Sequence, residues 1–152
     1  MDNTNSPTKP LVTGETVLQM IPQKPPMAMI DTIIDVTAQK AKTALTITKE
    51  NIFCEEGFFQ APGLSENIAQ TAATQVGYLS HLKGEAPPVG FIGAIKNLSI
   101  EQLPKVGDQV ITEIEIAHEI MNFTVINGIS KVGDQVMATC QMKIFIADTE
   151  QA

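Results

Sequence analysis

A single long stretch of helical spacing constrains this chain more than any other feature. Among its 152 residues, only the segment from Gly63 to about Lys83 carries apolar side chains at steps of three and four, which predicts one amphipathic helix. That apolar stripe consists of Leu64, Ile68, Ala72, Val76 and Leu79. A parallel sheet needs a crossover between successive strands, usually a helix, so a single helix favours antiparallel strands.

The remaining segments predict those strands. Residues 29–37 and 41–48 are rich in β-branched residues and are separated by a short polar link, a pattern typical of a hairpin. Beyond the Pro87-Pro88 break, four more strands are predicted, at 91–100, 109–120, 123–130 and 136–147. A short helix capped by Thr13 and stopped by Pro22 precedes them. The sequence therefore predicts an α+β fold in which a curled antiparallel sheet wraps around one long central helix.

Size and cysteine content predict one domain. Residues 1–12 are polar and contain two prolines, which favours a disordered tail, and residues 13–148 then form a single domain. Cys54 and Cys140 are too few for a disulfide framework or a four-ligand zinc site. We expect neither a metal nor a cofactor.

The charge balance excludes several classes of partner. Ten basic residues against seventeen acidic ones give a net charge of −7, which argues against binding to nucleic acid. All ten basic residues are lysines, so an anionic partner must be held by Lys or by backbone N–H groups. The chain has no apolar run of membrane-spanning length and no secretion signal at its start, which predicts a cytoplasmic protein without membrane insertion.

A six-residue sequence occurs twice. Lys-Val-Gly-Asp-Gln-Val at residues 105–110 recurs at 131–136, which is compatible with an internal duplication. Gly-Asp before an alternating strand is also ordinary turn chemistry, and we favour that interpretation.

The start of the long helix carries the most informative polar residues. Pro62 and Gly63 bring a loop to the helix N-terminus, where unpaired N–H groups can hold a carbonyl oxygen. Glu66 follows in the first turn, and Gln70 lies one turn later on the same face, where it can bridge to Glu66 or to a substrate. In the alternative interpretation, Glu66 only complements the helix dipole, with Ser65 or Asn67 as the cap.

Two motifs in this order resemble those of a known family. Residues 21–31, Ile-Pro-Gln-Lys followed by a proline-containing apolar run and Asp, are similar to a Leu-Pro-His-Arg segment. Residues 66–70, Glu-Asn-Ile-Ala-Gln, match the helix motif Glu-x-x-Ala-Gln. Over residues 14–147 the chain resembles the hotdog-fold β-hydroxyacyl-acyl carrier protein dehydratases, the FabZ-like lyases.

The resemblance implies that the protein removes water from a 3-hydroxyacyl thioester in fatty-acid or polyene-type acyl synthesis. By this resemblance the catalytic residues are Glu66, as the carboxylate, and Gln70. Gly63 or Leu64 supplies the N–H that binds the thioester carbonyl. The remaining predicted substrate-binding residues are Gln23, Phe58, Phe59 and Pro62.

The chain departs from the family at its histidines. Gly57-Phe58-Phe59-Gln60 stands where the family has Gly-His-Phe-Pro, and Gln23 replaces a second histidine. Neither Phe nor Gln transfers a proton near neutral pH. Of the two histidines present, His118 lies in the apolar phase of its predicted strand, which favours a buried core histidine, and His81 lies at the predicted helix end.

Three functional hypotheses remain open from the sequence. The first is a dehydratase acting on acyl thioesters of acyl carrier protein or coenzyme A. The second is a hotdog thioesterase that uses Glu66 without a histidine. The third is a non-catalytic subunit that binds an acyl chain. Exposed strand edges and the family resemblance predict a homodimer or higher oligomer, or a hetero-oligomer with a catalytic homologue that supplies the histidine.

Overall fold

Strands are the main regular structure of the computed structural model, which describes residues 9–146. The one α-helix within that range, α1, spans Ala61–Leu82, and a 3₁₀ helix spans Gly14–Gln19. The strands are β1 (Val12–Thr13), β2 (Thr32–Val36), β3 (Lys40–Thr46), β4 (Cys54–Glu55), β5 (Phe58–Phe59), β6 (Gly90–Ile100), β7 (Gln109–Ile120), β8 (Phe123–Val132) and β9 (Gln135–Ile146). No helix in the described range is both long enough and apolar enough to cross a bilayer.

Seven of the strands form one antiparallel sheet. Its order is β1-β2-β3-β7-β8-β9-β6, and β4 and β5 form a separate two-stranded hairpin. Helix α1 packs against this sheet, with contacts to β2, β3, β6, β7, β8 and β9. The predicted arrangement of an antiparallel sheet around one long helix is therefore confirmed.

The predicted elements agree closely with those observed. The hairpin of β2 and β3 and the four later strands are confirmed, with end points shifted by at most three residues where the structure describes them. Helix α1 starts two residues earlier than predicted because Pro62 fits the first turn, where its missing N–H is not needed. Thr13 precedes the 3₁₀ helix as predicted, but its side chain makes no capping hydrogen bond.

The repeated six-residue sequence occurs at two turns. Gly107 and Gly133 have φ values of +96° and +59°, a conformation that side chains with a Cβ rarely adopt. The first turn leads into β7, and the second joins β8 to β9. The turn interpretation therefore accounts for both copies.

The domain begins earlier than predicted. The Leu11 N–H donates to the Ile33 carbonyl at 2.9 Å, and Val12 pairs with Ile33 as part of β1. Residues 11 and 12 thus belong to the sheet and not to a disordered tail, because the edge of β2 offers them backbone partners. Residues 1–8 of the predicted tail and residues 147–148 of the predicted domain lie outside the described residues.

Helix α1 buries a polar face that the sequence pattern did not predict. Leu64, Ile68 and Ala72 of the predicted stripe are buried, and so are polar residues on the adjoining face: Asn67, Gln70, Thr71, Thr74 and Gln75. The Asn67 Nδ2 donates to the Met29 carbonyl at 2.8 Å, and the Thr112 hydroxyl donates to Asn67 Oδ1. Because these groups find partners across the core, they hold α1 in one position on the sheet.

Candidate functional site

A cavity of about 460 Å³ lies between α1 and the sheet. Glu66, Ala69, Ala73 and Val76 line it from the helix. The opposite wall includes five isoleucines from β7, β8 and β9, namely Ile114, Ile116, Ile126, Ile144 and Ile146. A largely apolar cavity of this size with a few polar groups is typical of a small-molecule site. The small side chains of Ala69 and Ala73 leave room for it.

Glu66 lies on the cavity wall with a fixed carboxylate. Gln70 Nε2 donates to Glu66 Oε2 at 2.8 Å, across one turn of α1. The same nitrogen donates to the Met27 carbonyl at 2.8 Å, and Gln70 Oε1 accepts from the Met29 N–H at 2.6 Å. Gln70 is fully buried and does not line the cavity. Of its two predicted roles, the structure shows the bridge to Glu66, so Gln70 acts as a positioning residue.

The N–H groups predicted to hold a carbonyl already have partners. Gly63 N and Leu64 N both donate to the Gln60 carbonyl, at 2.9 and 3.3 Å. A Cβ on Gly63 would lie 2.6 Å from the Phe59 ring, and Leu64 is fully buried, so neither residue faces the cavity. The expectation of unpaired donors was wrong here because α1 starts at Ala61, so the carbonyl of the preceding Gln60 lies within reach of both N–H groups and accepts from them.

Three further predicted binding residues lie away from the cavity. Phe58 belongs to the β4–β5 hairpin and is 40% exposed, while Phe59 is buried and meets Phe53 edge to face at 6.4 Å. Pro62 is exposed in the first turn of α1. Within one chain, therefore, Phe58 does not reach the cavity that Glu66 lines.

Gln23 is the one predicted substrate-binding residue that the structure brings to the cavity with Glu66. Its Oε1 is enclosed and accepts no hydrogen bond from a described residue. Pro22 beside it also lines the cavity, so the proline-rich segment and α1 meet there.

Neither histidine reaches the cavity. His81 is exposed at the end of α1, as predicted. His118 is also exposed, so the predicted core position was wrong. A β-bulge between Ile116 and His118 reverses the alternation of β7, and Glu119 lines the cavity instead. The sequence analysis missed Glu119, because nothing in the local sequence marks the bulge.

The cysteines offer no activated nucleophile. Burial raises the pKa of the Cys140 thiol to about 11 and also raises that of Cys54. Both thiols are thus protonated near neutral pH, and a thiol is a far weaker nucleophile than a thiolate. Within residues 9–146, no group of three His, Cys, Asp or Glu residues is arranged to hold a metal ion.

Comparison with known proteins gives a consistent family and fold. The ApeP-like family model, described as ApeP dehydratase, matches residues 15–152. The 3-hydroxyacyl-acyl-carrier-protein dehydratase FabZ of Caldanaerobacter subterraneus subsp. tengcongensis is 27% identical over 145 residues, which cover 89% of this chain and 98% of that protein.

Solved structures confirm the hotdog fold. A chain of the dehydratase heterocomplex ApeI:P from Xenorhabdus doucetiae superposes with a TM-score of 0.80 at 15% identity, covering 88% of this chain and 92% of that one. A hypothetical thioesterase with coenzyme A from Streptococcus pneumoniae superposes with a TM-score of 0.63 at 11% identity, covering 76% of this chain and 84% of that one. Both superpositions concern the fold alone.

Proposed function

Because the chain belongs to the ApeP-like dehydratase family, we propose that it supplies the carboxylate half of a dehydratase site and that a partner subunit supplies the base. The chain is a 3-hydroxyacyl-acyl carrier protein dehydratase-like protein. Its ligand in this proposal is the neutral acyl part of a 3-hydroxyacyl thioester, carried on acyl carrier protein or coenzyme A.

The observation that carries the proposal is the asymmetry of the cavity. Two carboxylates line it, Glu66, which Gln70 holds in place, and Glu119 on the exposed end of β7, but no described histidine or lysine does. Elimination of water needs a base as well as an acid. A carboxylate that a hydrogen bond holds in place on a largely apolar wall, with no described histidine or lysine on that wall, fits one half of a shared site.

The proposed reaction divides the proton transfers between two subunits. A histidine of the partner removes the proton from the carbon next to the thioester carbonyl, and the electron pair of that C–H bond forms the new C=C bond. The C–O bond to the hydroxyl breaks, and the protonated carboxyl of Glu66 gives its proton to the departing oxygen, which leaves as water. Gln70 keeps Glu66 oriented during this step.

Strand β6 is the edge at which we place the partner. On its other side β6 pairs with no strand among the described residues, and four of its apolar side chains are exposed: Phe91, Ile92, Ile95 and Leu98. Gly90, Phe91 and Ile92 also line the cavity. A subunit that extends the sheet along β6 would therefore cover this apolar edge and close the cavity.

The identity of that partner is the finer part of the proposal. Pairing with a second copy gives a homodimer that lacks the family's histidine at both sites. Pairing with a histidine-bearing homologue gives a complete site, and the similarity to a chain of the ApeI:P heterocomplex supports this choice. We therefore propose a hetero-oligomer, with a cytoplasmic location as the sequence predicts.

Restoring a histidine within this chain tests the proposal without knowledge of the natural partner. We expect the Phe58→His homo-oligomer to form enoyl thioester from 3-hydroxyacyl-acyl carrier protein, measured by ultraviolet absorbance. The double variant Phe58→His/Glu66→Gln should be slower by about 10²–10⁴-fold, because it lacks the acid. Phe58→His/Glu113→Gln is the matched control, since Glu113 lies on β7 outside the cavity.

Each outcome separates the candidate functions. Equal rates with and without Glu66 would contradict its role as the acid. Release of free thiol from acyl thioesters by the wild-type chain, abolished in Glu66→Gln, would favour the thioesterase alternative. Acyl binding with no turnover by Phe58→His would favour the non-catalytic binding subunit.

A further inference from the structure

Side-chain hydrogen-bond donors are scarce around the cavity. Its polar lining residues within the described range are Gln23, Glu66, Gln75, Glu119 and Thr124. In the proposed reaction the proton of the Glu66 carboxyl goes to the departing hydroxyl, and a carboxylate such as that of Glu119 only accepts hydrogen bonds. The Nε2 of Gln75 already donates to the carbonyls of Thr37 and Ala38, at 3.0 and 3.2 Å. Gln23 and Thr124 therefore remain as neutral side-chain donors for a ligand.

The two polar atoms of the Gln23 amide differ. Its Oε1 is enclosed and accepts no hydrogen bond from the described residues. Its Nε2 is not among the enclosed side-chain atoms that lack a hydrogen-bond partner. Since Gln23 lines the cavity, the polar atom that it can offer to a ligand is the amide nitrogen, a donor.

The first turn of α1 does not supply this donor in its place. Gly63 N and Leu64 N, the first-turn groups expected to bind a carbonyl, are bonded to the Gln60 carbonyl and face away from the cavity. An acyl thioester whose carbonyl is buried without a donor loses the hydrogen bonds that it made to water. Something on the cavity wall must compensate for that loss.

We propose that Gln23 Nε2 donates a hydrogen bond to the carbonyl oxygen of the bound acyl thioester. The inference rests on the proposed function only in taking an acyl thioester as the ligand. A neutral amide binds and polarises the carbonyl without transferring a proton, so the proton transfers remain with Glu66 and the partner's base. Gln23 is then a substrate-binding residue in its own right.

Infrared spectroscopy of the bound carbonyl tests this contact directly. The probe is octanoyl pantetheine labelled with carbon-13 at the thioester carbonyl; it has no hydroxyl and cannot be dehydrated. On binding to the wild-type chain, the C=O band should move below its frequency in an apolar solvent. With Gln23→Leu the band should return to that frequency, and affinity should fall by about 3- to 10-fold, the effect of one neutral hydrogen bond.

Three variants separate this contact from general effects on the fold. Gln23→His retains an N–H donor and should restore the lower frequency. Thr124→Val removes the other neutral donor of the cavity and should leave the band unmoved. Gln19→Leu alters an exposed glutamine of the 3₁₀ helix that does not line the cavity, so affinity and band should match the wild type.

The inference is overturned if the probe does not bind, if wild type and Gln23→Leu give the same band, or if Thr124→Val moves the band instead. Dehydration by Phe58→His is measured separately. A Gln23-dependent band without Glu66-dependent dehydration would sustain the carbonyl contact and overturn the proposed reaction. The converse result would sustain the reaction and overturn the contact.

Discussion

Two faces of α1 meet the rest of the fold. They differ in how closely they pack and in how many hydrogen bonds their polar side chains make. On one face, Asn67, Gln70, Thr71 and Thr74 are fully buried, and each makes a side-chain hydrogen bond. On the other, Glu66 borders a cavity beside Ala69 and Ala73. The first face, which we call the closed face, holds the helix on the sheet. The second, which we call the open face, leaves space for a ligand. Gln70 connects the two, because it is buried in the first and orients Glu66 on the second.

The closed face should be intolerant of truncation. Asn67→Ala removes the partner of the Met29 carbonyl and of the Thr112 hydroxyl and leaves a small void. We expect a loss of about 2–4 kcal/mol in the free energy of unfolding, measured in urea. Ser65→Ala, half-buried in the same turn, is the control. A loss as small as that of the control would mean that the polar face does not hold the helix.

The closed face should also reject added volume. A Cβ on Gly77 would lie 1.7 Å from the Met20 carbonyl oxygen, so Gly77→Ala must displace the segment after the 3₁₀ helix. Such overpacking costs about 1–3 kcal/mol. Ser80→Ala in the next turn should change stability little, since Ser80 is only half-buried. Equal urea midpoints for the two variants would contradict the close approach.

The connection between the faces can be broken at Gln70. Gln70→Leu removes the donor to Glu66 and the links to Met27 and Met29. In the Phe58→His background we expect kcat to fall by roughly 10- to 100-fold with little change in KM, because a misplaced acid affects the reaction step. Thr71→Val, which loses buried hydrogen bonds to Thr43 and to the Asn67 carbonyl at a residue that does not line the cavity, is the control. An equal loss of kcat in both would indicate a general effect on the fold.

The open face should tolerate a larger side chain than the core does. We expect Ala73→Leu to change stability by less than about 1 kcal/mol, since the side chain enters the cavity, yet to weaken binding of octanoyl pantetheine. Ala138→Leu, at a fully buried core position, should cost about 1–3 kcal/mol. Unchanged acyl binding in Ala73→Leu, measured by calorimetry, would show that the ligand lies elsewhere.

The smallest effect at neutral pH concerns Cys140 in the core. Burial raises its pKa from 9.0 to about 11, so the folded protein keeps the thiol protonated at a pH where the unfolded chain ionises it. The contribution of the protonated Cys140 thiol to the free energy of unfolding is fully present below pH 9 and is lost as the pH rises through about 11. In Cys140→Ala, therefore, the free energy of unfolding should decrease less between pH 9 and about pH 11 than it does in the wild type. In Cys54→Ala, at a partly exposed site, this decrease should differ less from that of the wild type.

Much of the fold follows from local patterns in the sequence. Alternation predicted β7 at residues 109–120, as observed, and helical spacing predicted α1 to within two residues at its start. The Glu66–Gln70 bridge follows from a spacing of four residues in a helix. These features depend on neighbours in the sequence and could therefore be predicted without the tertiary structure.

The cavity wall could not be predicted in this way. One bulge after Ile116 places His118 at the surface and Glu119 at the cavity. No nearby residue in the sequence indicates that bulge. The polar face of α1 is buried because Thr43, Thr112 and the Met29 backbone happen to face it across the core. Such partners lie 28 to 45 residues away along the chain.

Local patterns in the sequence predicted six of the nine described strands, the long helix and the carboxylate on its first turns. Which of the predicted residues share a cavity depends on packing: Gln23 and Glu66 do, whereas Phe58, Phe59, Pro62, Gly63 and Leu64 do not. Periodicity fixes the face of an element on which a side chain lies, but register, bulges and packing between distant segments fix what that face meets.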